Sequence, residues 1–167
     1  RLILRNAGND MFPTFQDLVT NGSFDFDNVL GWSAGASAVI SLGINSQTGS
    51  GYSMVVTNGG SGYSYAYQTL TTEVGGLYYL TWYRQENLDD LGSTWKVEAH
   101  TGSTVLATTS GNTAGGTWGP GDSMFFEATT TTTQIRFYKD NTNSGGVKFD
   151  EITCFEYISD STAAIVT

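Results

Sequence analysis

A sandwich of two antiparallel β-sheets is the fold class this sequence predicts, and three observations predict it. About ten short stretches alternate apolar and polar residues at period two, at roughly the spacing of an all-β sandwich. The 167 residues include 21 Gly and only 2 Pro, with Thr, Ser, Asn and Tyr abundant, a composition suited to short strands and tight turns. Helix-forming stretches are nearly absent, and the connections are too short for helical crossovers, so neighbouring strands are expected to run antiparallel.

The first expected strand covers residues 15–20 and ends at Asn21-Gly22. Residues 36–42 form the second. Gly49-Ser50-Gly51 separates it from the third at 53–58, where Met54-Val55-Val56 is a strand-favouring run. Beyond Asn58-Gly59-Gly60-Ser61-Gly62 lies 63–70, whose alternation sets Tyr63, Tyr65 and Tyr67 in one row. Gly75-Gly76 turns the chain into 77–85, where Tyr78, Leu80 and Trp82 share one face and Tyr79, Thr81, Tyr83 and Gln85 share the other. In 95–100, Trp95, Val97 and Ala99 oppose Lys96, Glu98 and His100. Residues 104–109, 123–129, 134–139 and 147–157 complete the set, with Gly115-Gly116 and Ser144-Gly145-Gly146 as turns. Five consecutive threonines, 129–133, read as exposed strand and turn because strands flank them. Residues 1–14, which open with Leu2-Ile3-Leu4, are expected to be a linker or an inter-chain lead-in, residues 15–158 the domain, and residues 159–167 a tail.

A chain of this length supports one domain with a substantial core. Seven Lys and Arg against sixteen Asp and Glu leave a net charge of −9, so phosphate backbones and anionic lipid surfaces should repel it. Nucleic acid is not an expected partner. No apolar stretch is long enough to cross a bilayer, so membrane insertion is not expected either. The lone Cys154 lies in an apolar run and is expected to be a buried, inert thiol. Beginning at Arg1 with no signal segment, the sequence reads as a piece of a larger polypeptide or a processed product.

Acidic residues near the two ends carry the first chemical expectation. Asn21-Gly22-Ser23-Phe24-Asp25, followed by Leu30-Gly31-Trp32, is answered by Phe149-Asp150-Glu151-Ile152. If the first and last strands lie side by side, Asp25 and Asp150 meet on their seam, and hard oxygen ligands there suit a structural calcium ion. Asp25 and Asp27 also suit a plainer role as turn caps, and Asp150 that of a solvated strand residue. Charges in a strand that also carries Phe149 and Ile152 usually need a partner, which favours the metal.

Several segments, taken in order, resemble carbohydrate-binding modules of families 4 and 9 and their relatives. They are Leu18-Val19-Thr20-Asn21-Gly22-Ser23-Phe24-Asp25, Gly31-Trp32, Tyr52-Ser53-Met54-Val55-Val56-Thr57-Asn58, Tyr67-Gln68-Thr69-Leu70, Gly76-Leu77-Tyr78-Tyr79-Leu80-Thr81-Trp82-Tyr83 and Val147-Lys148-Phe149-Asp150-Glu151-Ile152. The resemblance implies a two-sheet jelly roll with a structural calcium and a non-catalytic sugar-binding face or edge. By position, Asp25 stands where the family usually has Glu, and Asp150 where it has the first acid of a terminal Asp-Asp pair. Backbone carbonyls near Asn21 and Ser23 would be further ligands.

Sugars present flat C–H faces and rings of hydroxyls, which exposed aromatic rings beside planar polar groups can recognise. Aromatic residues make up 13% of the chain. If the polar faces of 77–85 and 95–100 lie side by side on one concave sheet, Tyr79, Tyr83, Gln85, Lys96, Glu98 and His100 line a groove. Tyr63, Tyr65 and Trp118 would join it from neighbouring strands or loops. Packing is the competing role for each tyrosine, since a sandwich must fill two inner faces.

His100 is the only histidine, which excludes a histidine metal cluster and leaves one candidate base for a Ser-His-Asp triad. Glu86, Asp89, Asp90 and Glu98 offer carboxylates, but no spacing singles out an acid and a nucleophile. The Gly clusters lack the helix and lysine of a phosphate-binding loop. The sequence therefore predicts a non-catalytic glycan-binding or adhesion domain of a larger viral appendage or extracellular protein, located outside the cell or on a virion surface. Two alternatives stand beside it. One is a domain that builds or decorates a virion, contacting a homo-oligomer or neighbouring subunits; the other is the binding module of a secreted glycoside hydrolase.

Overall fold

The computed structural model describes residues 16–49, 51–59, 62–86, 94–112, 116–140 and 145–157. The expected lead-in 1–14, the tail 159–167, and Asp89 and Asp90 lie outside the described residues. Among the described residues ten strands form: β1 (Ser33–Gly35), β2 (Ala38–Ile44), β3 (Tyr52–Asn58), β4 (Ser64–Thr71), β5 (Leu77–Glu86), β6 (Thr94–Thr101), β7 (Thr104–Asn112), β8 (Asp122–Glu127), β9 (Thr132–Lys139) and β10 (Gly146–Glu156). They make two five-stranded sheets, ordered β1-β4-β9-β6-β7 and β2-β3-β10-β5-β8, with antiparallel pairing throughout. This is the double-layer sandwich that the alternation predicts.

One side of each strand fills the space between the layers. Ala66 and Leu70 of β4, Tyr78, Leu80 and Trp82 of β5, Trp95, Val97 and Ala99 of β6, and Ile135 and Phe137 of β9 are all buried there. Trp82 meets Trp95 and Phe137 edge-on at 6.2 and 6.0 Å, and Phe137 in turn meets Phe149 at 5.1 Å. Such edge contacts add about 0.5–1.5 kcal/mol each to the area that the rings bury. Cys154 is fully buried in the same layer, and burial pushes its thiol up to about 12, which suits the inert role expected of it.

Three local features depart from the sequence expectation. Residues 16–20 do not form a strand. Asp17 instead turns its carboxylate to accept the Val19 and Cys154 amides at 3.0 and 2.9 Å, so a side chain takes over part of the ladder. The segment still runs along β10, with Leu18 N–H on the Cys154 carbonyl at 2.9 Å and Ile152 N–H on the Gly22 carbonyl at 3.0 Å. The second departure is β1, whose Ser33-Ala34-Gly35 has no apolar alternation and exists by pairing with β4. The third lies in the threonine run: β9 already opens at Thr132, and Thr133 is buried rather than exposed, its hydroxyl 3.1 Å from that of Thr72.

The pairing of β10 with β5 slips between Asp150 and Thr153. Glu151 takes a left-handed backbone conformation there, with φ of 48°. This bulge lets Phe149 and Ile152, three positions apart, both reach the core.

Candidate functional site

Strand pairing sets the outward side chains of the sheet β1-β4-β9-β6-β7 in rows. Tyr65 of β4 lies opposite Tyr138 of β9, which lies opposite Lys96 of β6. The next row is Tyr67, Arg136 and Glu98; the third is Thr69, Gln134 and His100. With strands about 4.8 Å apart and same-face residues about 6.8 Å apart, these positions cover about 10 by 14 Å.

Glu98 ties the face together. It accepts Lys96 Nζ at 2.8 Å and His100 Nε2 at 2.7 Å, while Lys96 Nζ also lies over the rings of Tyr63 and Tyr138, 4.6 and 4.3 Å from their centroids. Although they point outward, Glu98 and His100 are only 7% and 5% exposed. Burial alone would raise the Glu98 carboxyl, but hydrogen bonds with Lys96, His100 and Tyr138 outweigh it and hold the group below the ordinary glutamate range. Burial pushes the Tyr138 phenol up to about 12. Tyr65 packs 4.8 Å from Tyr138 and 5.9 Å from Tyr67, with the Arg136 guanidinium 5.0 Å from its centroid. A Cβ placed on Gly35 would come within 2.3 Å of the Tyr65 ring, so glycine on the edge strand is what lets the ring lie across it.

The fold divides the groove expected from the sequence. β5 and β6 belong to different sheets. Tyr79, Tyr83 and Gln85 therefore face outward on one side of the sandwich and Lys96, Glu98 and His100 on the other. Tyr79 packs against Phe125 at 4.6 Å, and Tyr83 lies beside Gly121. Gln85 donates to the Gly116 carbonyl at 2.7 Å and bridges to Trp118, which keeps Trp118 with the second sheet as well. Tyr63 and Tyr65 do join Lys96, Glu98 and His100. Gln134, Arg136 and Tyr138 complete the face without having been expected there. Their signal was available, since they alternate within the strand expected at 134–139.

The seam between the two ends of the chain forms a second cluster. Asp150 is fully buried and accepts the Gln47 and Glu151 amides at 2.8 and 2.9 Å. Burial, with smaller contributions from the charges of Glu151 and Asp25, outweighs those bonds and pushes its carboxyl up to about 6. Burial and Asp25 also raise Glu151. Asp25 thus shares an electrostatic neighbourhood with Asp150, and Ser23 Oγ donates to it at 2.8 Å. Asn21 is turned elsewhere. Its side-chain amide donates to the Asn28 and Leu30 carbonyls at 2.9 and 3.2 Å, and its own carbonyl accepts the Trp32 indole N–H at 3.2 Å, so it closes the 21–32 loop. Among the described residues, no three His, Cys, Asp or Glu side chains form a group that could hold a metal.

No family model and no curated protein sequence matches the chain. Solved structures do. A family 61 carbohydrate-binding module in complex with β-1,4-galactotriose aligns with a TM-score of 0.66 at 12% identity, covering 85% of this chain and 99% of the module. The fold is that of carbohydrate-binding modules. A family 4 module aligns with a TM-score of 0.63 at 17% identity, covering 83% of this chain and 99% of that one. The enzymatically active domain of tailspike protein 4 of bacteriophage CBA120 aligns with a TM-score of 0.61 at 16% identity, over 84% of this chain but 21% of the tailspike chain. The alignment thus spans nearly the whole of each of these two modules and one part of the tailspike chain.

Proposed function

We propose that this domain binds glycans without cleaving them, through the outer face of the sheet β1-β4-β9-β6-β7. The observation that carries this reading is the row of Tyr63, Tyr65 and Tyr67 set beside Lys96, Glu98, Arg136 and His100. Partly exposed rings offer flat apolar surface, and polar groups held by one another need little further ordering when a sugar arrives. Glu98 supports the non-catalytic reading. Its carboxyl is held low, whereas the general acid of a glycosidase has its carboxyl raised.

We further propose a structural calcium at the seam. The donor chemistry fits a hard cation: Asp150 is buried, Asp25 lies near, and no Lys, Arg or His pairs with Asp150 among the described residues. Asp25 and Asp150 would hold the ion with oxygens of the Ser23 segment, while Asn21 keeps its loop-closing bonds. The ion would neutralise the buried charge and stabilise the fold.

A domain of this kind would be displayed outside the cell or on a virion. The alignment with part of a phage tailspike favours a second reading, in which the domain contributes to assembly of a virion appendage. A glycan array run with calcium and with chelator tests both. Wild type should bind at least one polysaccharide, Tyr67→Ala should lose most of that binding while keeping its melting temperature, and Tyr83→Ala, on the opposite sheet, should bind as wild type does. Binding to no glycan under either condition would leave the assembly reading.

A further inference from the structure

Arg136 differs in its partners from Arg84, Lys96, Lys139 and Lys148. Arg84 pairs with Asp122 at 2.9 Å, Lys96 with Glu98 at 2.8 Å and Lys139 with Asp140 at 3.9 Å, and Lys148 is buried with its ammonium on the Ile44 carbonyl at 3.1 Å. Arg136 has no carboxylate partner among the described residues. Its Nε donates to Gln134 at 2.5 Å, one terminal nitrogen makes a long 3.5 Å bond to Tyr138, and the other reaches the Gly102 carbonyl at 3.3 Å. A guanidinium carries five N–H groups, so one on each terminal nitrogen stays uncommitted. The neighbours therefore fix the orientation of the fork and leave part of it unused.

The fork borders a depression of about 160 Å³ lined by Thr69, His100, Gly102, Thr132, Gln134 and Arg136. His100 forms part of the wall beside the fork. Its Nε2 is committed to Glu98 and Tyr138, so the ring is held in place beside Arg136.

We infer that this depression reads an acidic sugar, with the carboxylate of a uronic acid seated on the Arg136 fork. The inference rests on the glycan-binding reading above and names its substrate class. A planar carboxylate matches a guanidinium in bidentate fashion, whereas a neutral sugar offers Arg136 hydroxyls alone. The chain's net charge of −9 repels polyanions in general, so such binding would depend on this local constellation rather than on bulk attraction.

Titration calorimetry of the intact domain tests it, with polygalacturonate, alginate and hyaluronate as acidic probes, their carboxyl-reduced forms as neutral counterparts, and dextran sulfate as a sulfate source. At least one polyuronate should bind, and its reduced form should bind about tenfold more weakly or worse, as loss of a charge-assisted pair implies. Arg136→Gln should bring the polyuronate down to the affinity of the reduced form, and Arg136→Lys, which keeps the charge without the fork, should recover only part. The Lys variant carries the test alone if the Gln variant does not fold. Equal affinity for acidic and reduced forms, tighter binding of dextran sulfate, or full affinity in the Lys variant would overturn the inference. Binding of neutral galactan that depends on Tyr67, with no polyuronate bound, would overturn it and leave the glycan-binding reading standing. Binding of nothing would remove both.

Discussion

Replacing Asp150 with Asn should stabilise the metal-free protein at neutral pH, although buried polar residues are usually costly to change. The folded carboxyl is pushed up to about 6, chiefly by burial, while in the unfolded chain an aspartate titrates near about 3.9. The native state therefore holds its proton more tightly, and stability falls as pH rises through the window between those values. The penalty is absent below about pH 4 and complete above about pH 7, where a gap of about two units amounts to about 3 kcal/mol. Asn has nearly the same shape but no charge. Gln47 and Glu151 donate to different oxygens of Asp150, so Asn keeps one of those bonds and leaves the other amide unpaired, at about 2 kcal/mol. The net gain at pH 7 is then about 1 kcal/mol, turning to a loss near pH 4.

Urea unfolding in excess chelator, at half-unit steps from pH 4 to 8, reads this difference directly. Added calcium should stabilise wild type markedly more than the Asn variant, which keeps Asp25 but loses the buried anionic ligand. A difference between the two proteins that does not vary with pH would refute the reasoning about burial. Equal stabilisation of both by calcium would remove Asp150 from the proposed site.

Three further outcomes follow from single contacts. Gly35→Ala places a methyl 2.3 Å from the Tyr65 ring; the ring must swing away, so glycan affinity should fall several-fold while the melting temperature changes little. Gly22→Ala puts its Cβ 2.0 Å from the Ile152 carbonyl oxygen, backbone against backbone, and should cost about 2 kcal/mol or more in thermal unfolding. Glu98→Gln removes the group shared by Lys96 and His100. Because the Glu98 carboxyl is held low, its contribution is present above the ordinary glutamate range and lost as pH falls through its folded value, so wild type should lose its advantage over the variant in acid.

The strands were legible because each buries one face against a single opposed layer, and period two records that directly. Trp95, Val97 and Ala99 could hardly face anywhere but inward, and they do. What eludes such a pattern is pairing that costs no apolar side chain. Ser33-Ala34-Gly35 becomes a strand because β4 offers it an edge, and 16–20 loses strand geometry because the Asp17 carboxylate serves two amides that a ladder would have used. Alternation also says which residues share a face of one strand and nothing about which strands share a sheet. That gap is why Tyr83 and Gln85, apparent neighbours of Lys96 and Glu98, stand on the opposite side of the sandwich.

The two clusters differ in how far the residues alone expose them. In β10 the core side chains Val147, Phe149, Ile152 and Cys154 are spaced two, three and two apart. A strand that buries both Phe149 and Ile152 must insert one extra residue between them, so the bulge is written into the spacing, and the acids Asp150 and Glu151 occupy it. Their placement follows from hydrophobic demand, with the burial of a carboxylate as its cost, and a cation is the simplest way to offset that cost. The sheet face has no comparable single cause. Gln134, Arg136 and Tyr138 alternate plainly, but their meaning depends on register: one residue of slip between β9 and β6 would turn Arg136 inward and separate it from Glu98 and His100. Register is set by the whole sandwich, so an arginine that reads as an ordinary surface charge in sequence becomes, once paired, an oriented fork with part of its donors unused.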